Sequence, residues 1–206
     1  MKMQVHHGGR LPVSINHVYN TNEKDTDIGY GKGYRLNLSQ TIELTKIDDN
    51  EYLKYIDEDA TSHYLLKNST TKEYKDEDGL GLIAKISGNN VIMEDKAGNK
   101  MTFNKYSSGN KWHLKEIEDT NKNKITLTLK TSGSKYLISK VTDGAGDSLN
   151  ISYSSGKLNK ITDKDSKVTT FTYNENNNLS GITYSDGKKS LYTYGSKNEL
   201  KRVKKS

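Results

Sequence analysis

Four blocks in the second half of the chain decide its fold: LKEIEDTNKNKITLTL (114–129), ISKVTDGAGDSLNISY (138–153), LNKITDKDSKVTTFTY (158–173) and LSGITYSDGKKSLYTY (179–194). A stub, LKRV (200–203), begins a fifth. Each block opens on Leu or Ile, passes two residues and reaches Ile or Val, at Ile117, Val141, Ile161, Ile182 and Val203. A turn rich in Asp, Asn, Gly or Lys follows. A second run then closes on Leu or an aromatic ring, at Leu129, Tyr153, Tyr173 and Tyr194. The starts are spaced by 24, 20, 21 and 21 residues. A unit of that length holds one hairpin, and a lone hairpin is marginal in water. Neighbouring units must therefore stack edge to edge and bury a common face.

Working outward, the same grammar runs through the first half. Val13, Ile15 and His17 alternate in Leu11–Tyr19, and Leu36, Leu38 and Gln40 in Tyr34–Leu44; Met101 and Phe103, then Ile125, Leu127 and Leu129, continue the pattern. Alternation is the mark of a half-buried strand. No stretch of ten residues carries the i, i+3, i+4, i+7 apolar pattern of a helix. Asp-Gly, Ser-Gly and Gly-Asn pairs separate the runs, supplying the positive φ that tight hairpin turns need. The expected fold is all-β, an antiparallel meander of stacked hairpins forming an elongated, twisted open sheet. Its expected parts are a polar tail (1–9), an irregular β lead-in that caps the array (10–110), and the hairpin repeats (111–206). Ending on the first strand of a unit suggests a chain broken mid-array, with an open edge that the terminal lysines blunt.

Composition fits a thin, two-sided β structure. Hydrophobic residues are 31% of the 206, and mean hydropathy is −0.90. A composition this polar leans toward disorder, but there is one proline and there are 14 tyrosines. Tyrosine suits a half-wet strand face. The net charge of +6 is spread among 26 acidic residues. Nucleic-acid binders concentrate charge on one face, so nucleic acid is not an expected partner. The one basic run, Lys201, Arg202, Lys204 and Lys205, reads as a soluble tail. With no cysteine, disulfide and thiol chemistry are excluded. No apolar stretch approaches the ~18 residues of a membrane span, and no charged-then-apolar leader opens the chain.

Candidate chemistry resolves into turns. His6, His7, His17, His63 and His113 show no metal-ligand spacing, and no cysteine completes a zinc set. Asp119-x-Asn121-x-Asn123 opens like a calcium loop, but Lys124 and Lys130 stand where that loop needs Gly and Glu. Asp143-Gly144-Ala145-Gly146-Asp147 reads as one more repeat turn. Gly29-Tyr30-Gly31-Lys32-Gly33 lacks the Gly-Lys-Ser/Thr and helix of a phosphate loop, and reads as a wide loop between strands. The carboxylates Asp57, Glu58 and Asp59 lie on a polar turn with no inferred cleft. The tyrosines recurring at the repeat period (Tyr153, Tyr173, Tyr184, Tyr192, Tyr194) read as a cross-strand ladder, with a sugar- or base-stacking platform as the competing use. The expectation is a non-enzymatic protein with no cofactor and no catalytic or metal site. Its structural anchors are Ile117, Val141, Tyr153, Ile161, Tyr173, Ile182, Tyr194 and Val203.

The blocks resemble the tyrosine-aspartate (YD) repeats of Rhs-type proteins. Phe171-Thr172-Tyr173-Asn174 followed by Leu179-Ser180-Gly181-Ile182 is one copy, and Tyr192-Thr193-Tyr194-Gly195 followed by Leu200-Lys201-Arg202-Val203 is another. Asn174 and Gly195 stand where the signature Asp belongs. Leu11–Asn20, Gly29–Tyr34, Asp76–Leu82 and Glu94–Lys100 look like the lead-in of bacterial Rhs and wall-associated proteins, so the resemblance covers about residues 8–203. It implies a secreted or surface-exposed bacterial protein of Gram-positive type, whose repeats form a β-shell around a C-terminal toxin or effector. The implied partners are the rest of a larger repeat chain and that effector. The family's self-cleaving junction and effector are absent from these residues. The alternative function is a surface adhesion or carbohydrate-binding module that uses the tyrosine rows on a cell-surface glycan. Exposed tyrosines would favour that module; covered ones favour the shell.

Overall fold

A computed structural model describes Leu11 and residues 13–206. The expected tail (1–9) and its His6-His7 pair lie outside the described residues, as does Pro12. The described chain is all-β apart from a single 3-10 turn at Thr21–Glu23.

The antiparallel meander expected from the alternation is present, and it has three parts. First comes a strap, residues 13–38, whose short strands β1 (His17–Tyr19) and β2 (Tyr34–Leu36) pair with each other. Next are β3 (Thr41–Ile47), β4 (Asn50–Ile56), β5 (Ser62–Lys67), β6 (Tyr74–Asp76), β7 (Ile83–Ser87), β8 (Asn90–Glu94), β9 (Lys100–Asn104) and β10 (Lys111–Glu118). From β4 on, each pairs with the one before it, and β10 also pairs back onto β3. These eight strands therefore close into a barrel-like ring. The array follows: β11 (Lys124–Ser132), β12 (Lys135–Thr142), β13 (Ser148–Ser154), β14 (Lys157–Thr162), β15 (Val168–Tyr173), β16 (Leu179–Thr183), β17 (Lys189–Tyr194) and β18 (Leu200–Lys205).

Strand β10 is where ring becomes array. One edge pairs with β9 from His113 to Glu118. The other edge is divided: Lys111, Trp112 and His113 pair with β3, whereas Glu116, Ile117 and Glu118 pair with β11. Closure removes the free edges that the ring strands would otherwise expose. The ring interior is packed by alternate residues, with Trp112, Ile42 and Tyr55 in one cross-strand row and Tyr74, Ala84 and Met93 in another.

In the array, each hairpin carries one extra residue at the same place: Ser139, Asn159, Ser180 and Lys201. The block pattern explains why. Residues three apart on a regular strand face opposite sides, yet Leu158 and Ile161 are both buried, as are Ile138 with Val141 and Leu179 with Ile182. A bulge at the residue after the opening Leu or Ile restores the parity and brings both anchors to the core face. It also raises the local twist, and its repetition curls the sheet so that its apolar face is concave. This one-sided burial explains how so polar a chain folds: the convex face carries Lys, Thr and Glu in water.

Several turns of the sheet share a design. Asp143, Asp163 and Asn174 each accept, through Oδ1, the backbone N–H groups two and four residues on, at 2.8–3.1 Å. Asp57, Asp95 and Asp119 do the same in the ring and at its exit. Only a side-chain oxygen is needed, so Asn174 serves where the repeat signature has Asp. Gly195 has no such oxygen, and its turn rests on backbone bonds, Gly195 N–H to the Glu199 carbonyl and Asn198 N–H to the Gly195 carbonyl.

Candidate functional site

The concave face of the array is the structural centre of the molecule, and the strap lies across it. Tyr153, Tyr173 and Tyr194 repeat one contact: each hydroxyl donates to the backbone carbonyl fifteen residues earlier, that of Ile138, Leu158 and Leu179, at 2.7–2.8 Å. The acceptor is the opening residue of the unit, where the bulge turns the carbonyl aside from the ladder. The first unit has Leu129 at the tyrosine position and makes no such latch. Burial raises all three phenols above the ordinary tyrosine range, Tyr194 to about 12, so they remain donors through neutral and mildly alkaline pH.

The strap interdigitates with this row. The Tyr30 hydroxyl lies 3.4 Å from that of Tyr153, and the Tyr34 hydroxyl 3.3 Å from that of Tyr194. The Gly29 carbonyl accepts the Leu158 N–H at 2.8 Å, and Lys32 N–H donates to the Asn177 carbonyl at 3.3 Å. At the far end the Tyr19 hydroxyl donates to the Asn198 carbonyl at 3.1 Å and accepts the Leu200 N–H at 3.2 Å. The loop Gly29–Gly33 thus does a packing job. Gly29 and Gly31 hold φ of +110° and +93°, and a Cβ on them would sit 2.4 Å from Leu137 Cδ2 and 2.9 Å from Tyr173 Cε1. Only glycine takes that backbone and lies that close to the array.

His17 is the one imidazole among the described residues of this layer. It stacks on Tyr34 with ring centres 4.4 Å apart and meets Phe171 edge-on at 5.6 Å. Its Nε2 lies 2.9 Å from the Tyr30 carbonyl, so Nε2 carries the proton and donates; Nδ1 is buried without a partner. Burial outweighs that bond and lowers the pKa to about 4. The imidazole is neutral at physiological pH.

The expected anchors take these places. Val141, Ile161 and Ile182 are buried on the concave face, with Tyr153, Tyr173 and Tyr194 packed against the same core. Ile117 is partly buried on β10, and Val203, on the edge strand β18, is 38% exposed. The tyrosine row is covered by the strap and is not an exposed stacking platform. Asp119, Asp143 and Asp57 are occupied by turn hydrogen bonds, and Asp57 also pairs with His63 Nε2 at 2.9 Å. Among the described residues no group of three or more His, Asp or Glu is arranged to hold a metal ion.

A second feature went unread in the sequence. A cleft of about 500 Å³ opens between the outer wall of the ring, the strap and the first array hairpin. Arg35, 6% exposed, lines it and is held by both carboxylate oxygens of Glu23 at 2.5–2.7 Å. His113 lines it too, its pKa lowered to about 4 by burial and by nearby Lys111. The lining comes from residues 23–43, 54–56, 107–114 and 129–138, and no local pattern marks it.

The Rhs repeat family model matches residues 153–189, which span β14, β15 and β16. No curated protein matches the sequence. Among solved structures, the N-terminal domain of effector protein SpvB from Salmonella typhimurium strain LT2 aligns over 100% of this chain and 98% of that one, with a TM-score of 0.53 at 9% identity; it shares the fold. A porin-like protein from Bacteroides uniformis ATCC 8492 aligns over 81% of this chain and 93% of that one, at 10% identity, but its TM-score of 0.28 carries no weight. No helix among the described residues is long and apolar enough to cross a membrane, which says nothing of strands. Residues 153–189 thus carry an Rhs repeat, and the chain as a whole shares the all-β fold of the SpvB N-terminal domain.

Proposed function

We propose that this chain is a non-catalytic structural segment of a secreted or surface-exposed bacterial Rhs-type protein, contributing wall to a β-shell that encloses a C-terminal toxin or effector. One observation carries the reading: a single sheet runs from a closed ring into a curled array, and its concave face holds a polypeptide strap against it. A surface that latches one extended segment by backbone and tyrosine hydrogen bonds is suited to confining polypeptide. The wall is also modular, since the units repeat the bulge and, after the first, the tyrosine latch, and the first three carry the same Asx turn at Asp119, Asp143 and Asp163. SpvB, whose N-terminal domain shares this fold, is an effector protein, which agrees with an export role. The tyrosine-row reading of carbohydrate binding loses its platform, because the strap covers the row. The partners are then the remainder of a larger repeat chain and the polypeptide it encloses.

The test is protease protection of the full-length native polypeptide. Digestion with proteinase K should spare both wall and enclosed polypeptide under native conditions, and degrade both after thermal unfolding. Cleavage of the polypeptide beyond the repeats at the same rate in both states would sink the shell reading.

A further inference from the structure

Strands β4, β3 and β10 lie side by side on the outer wall of the ring, and their register sets out two rows of side chains along the cleft. Lys54, Glu43 and Lys111 are direct cross-strand neighbours in one row, and Ile56, Thr41 and His113 in the next. Among the described residues, neither lysine has a carboxylate within ion-pairing distance, although each flanks Glu43. The hairpin of β11 and β12 faces them with Tyr136, whose ring centre is 4.8 Å from that of His113 and 5.6 Å from that of half-exposed Tyr106. The three rings make an aromatic shelf at the Lys111 end. At the strap end, Arg35 Nε and Ser39 Oγ are buried with no hydrogen-bond partner, and both residues line the cleft. Buried donors without acceptors are uncommon, and such a group calls for an explanation.

We propose that this cleft binds an acidic saccharide, a sugar ring bearing a carboxylate. Each part of the lining matches one part of such a ligand. The C–H face of a pyranose lies on Tyr136 and His113. Its carboxylate meets Lys111 and Lys54, which have no counter-ion. Ring hydroxyls donate to Glu43, which also lines the cleft. A carboxylate standing between the two lysines disfavours a dianionic phosphate but accepts a hydroxyl. The volume, about 500 Å³, falls within the range of small-molecule sites. The inference is independent of the shell reading, since it uses the outside of the ring and not the concave face.

The experiment is isothermal titration calorimetry of the intact chain with digalacturonate, with neutral galactobiose and inorganic phosphate as comparators. Digalacturonate should bind, and at least about tenfold more tightly than galactobiose, the ratio expected from one charge-assisted contact. Lys111→Ala and Tyr136→Ala should each weaken it by about tenfold or more, with unchanged circular dichroism. Should Tyr136→Ala unfold the chain, Lys111→Glu on the exposed rim supplies the same reading. No heat up to about 10 mM digalacturonate, a millimolar limit of useful affinity, would overturn the proposal. So would equal binding of galactobiose, full competition by equimolar phosphate, or variants that bind as the parent does.

Discussion

Acid should weaken this protein through one buried ring. His17 sits in the layer between strap and array, neutral, its pKa lowered from 6.5 to about 4 by burial. The folded state resists protonation there and the unfolded state does not. The stability that His17 contributes is therefore complete above pH 6.5 and is lost as pH falls from 6.5 toward 4, where the folded ring at last takes its proton. The magnitude follows from the difference of about 2.5 in pKa: at about 1.4 kcal/mol for each, the loss is about 3 kcal/mol. That is a large share of the 5–15 kcal/mol typical of a folded domain, roughly. His17→Phe isolates the effect. Phenylalanine keeps the stack on Tyr34 but leaves the Tyr30 carbonyl unpaired, which costs about 1–2 kcal/mol at neutral pH. Equilibrium urea unfolding between pH 7.5 and 4, followed by circular dichroism and by the fluorescence of Trp112, the one tryptophan, gives both stability curves. The parent should be the more stable at pH 7 and the variant at pH 4, with curves that cross between. Curves that run parallel through that interval would refute the reasoning, because carboxylates common to both proteins would then account for the whole pH dependence.

Other expectations follow from the repeat geometry. Tyr173→Phe removes a buried donor and strands the Leu158 carbonyl, so it should destabilise by roughly 1–2 kcal/mol in urea unfolding, as should Tyr153→Phe and Tyr194→Phe. Gly29→Ala should cost roughly 1–3 kcal/mol, since it meets both a forbidden φ and Leu137, and it should raise proteolysis within the strap. Asn174→Asp should leave the thermal midpoint nearly unchanged because the turn uses one side-chain oxygen, whereas Asn174→Ala should lose about 1 kcal/mol. Phe103→Ala, at a fully buried site in the ring, should cost roughly 3–5 kcal/mol.

The array was legible because its information is local. The spacing of Leu158 and Ile161, odd for a strand yet repeated, encodes the bulge; Asp163 and Asn174 encode the turn; Tyr173 encodes the latch. Ring closure was not legible, because it depends on β10 dividing one edge between Thr41–Glu43 and Lys124–Thr126, partners far apart in sequence. The strap was hidden for a similar reason. Gly29 and Gly31 read as a wide loop, and nothing local says that the loop is pressed against Leu137 and Tyr173. The cleft draws Arg35, Glu43, His113 and Tyr136 from strands that alternate like any others. An alternating strand tells which residues face outward, but not what stands opposite them.

The most direct test of the account is hydrogen–deuterium exchange of the strap, read by mass spectrometry on peptides covering residues 26–38. If the strap lines the concave face as an integral layer, these amides should exchange as slowly as those of β13 to β16, and Gly29→Ala should speed up the strap while leaving the ring strands β7 to β9 protected. Exchange of the strap within seconds in the parent protein, with the array protected, would show that the concave face does not hold it, and the shell-wall account would fail.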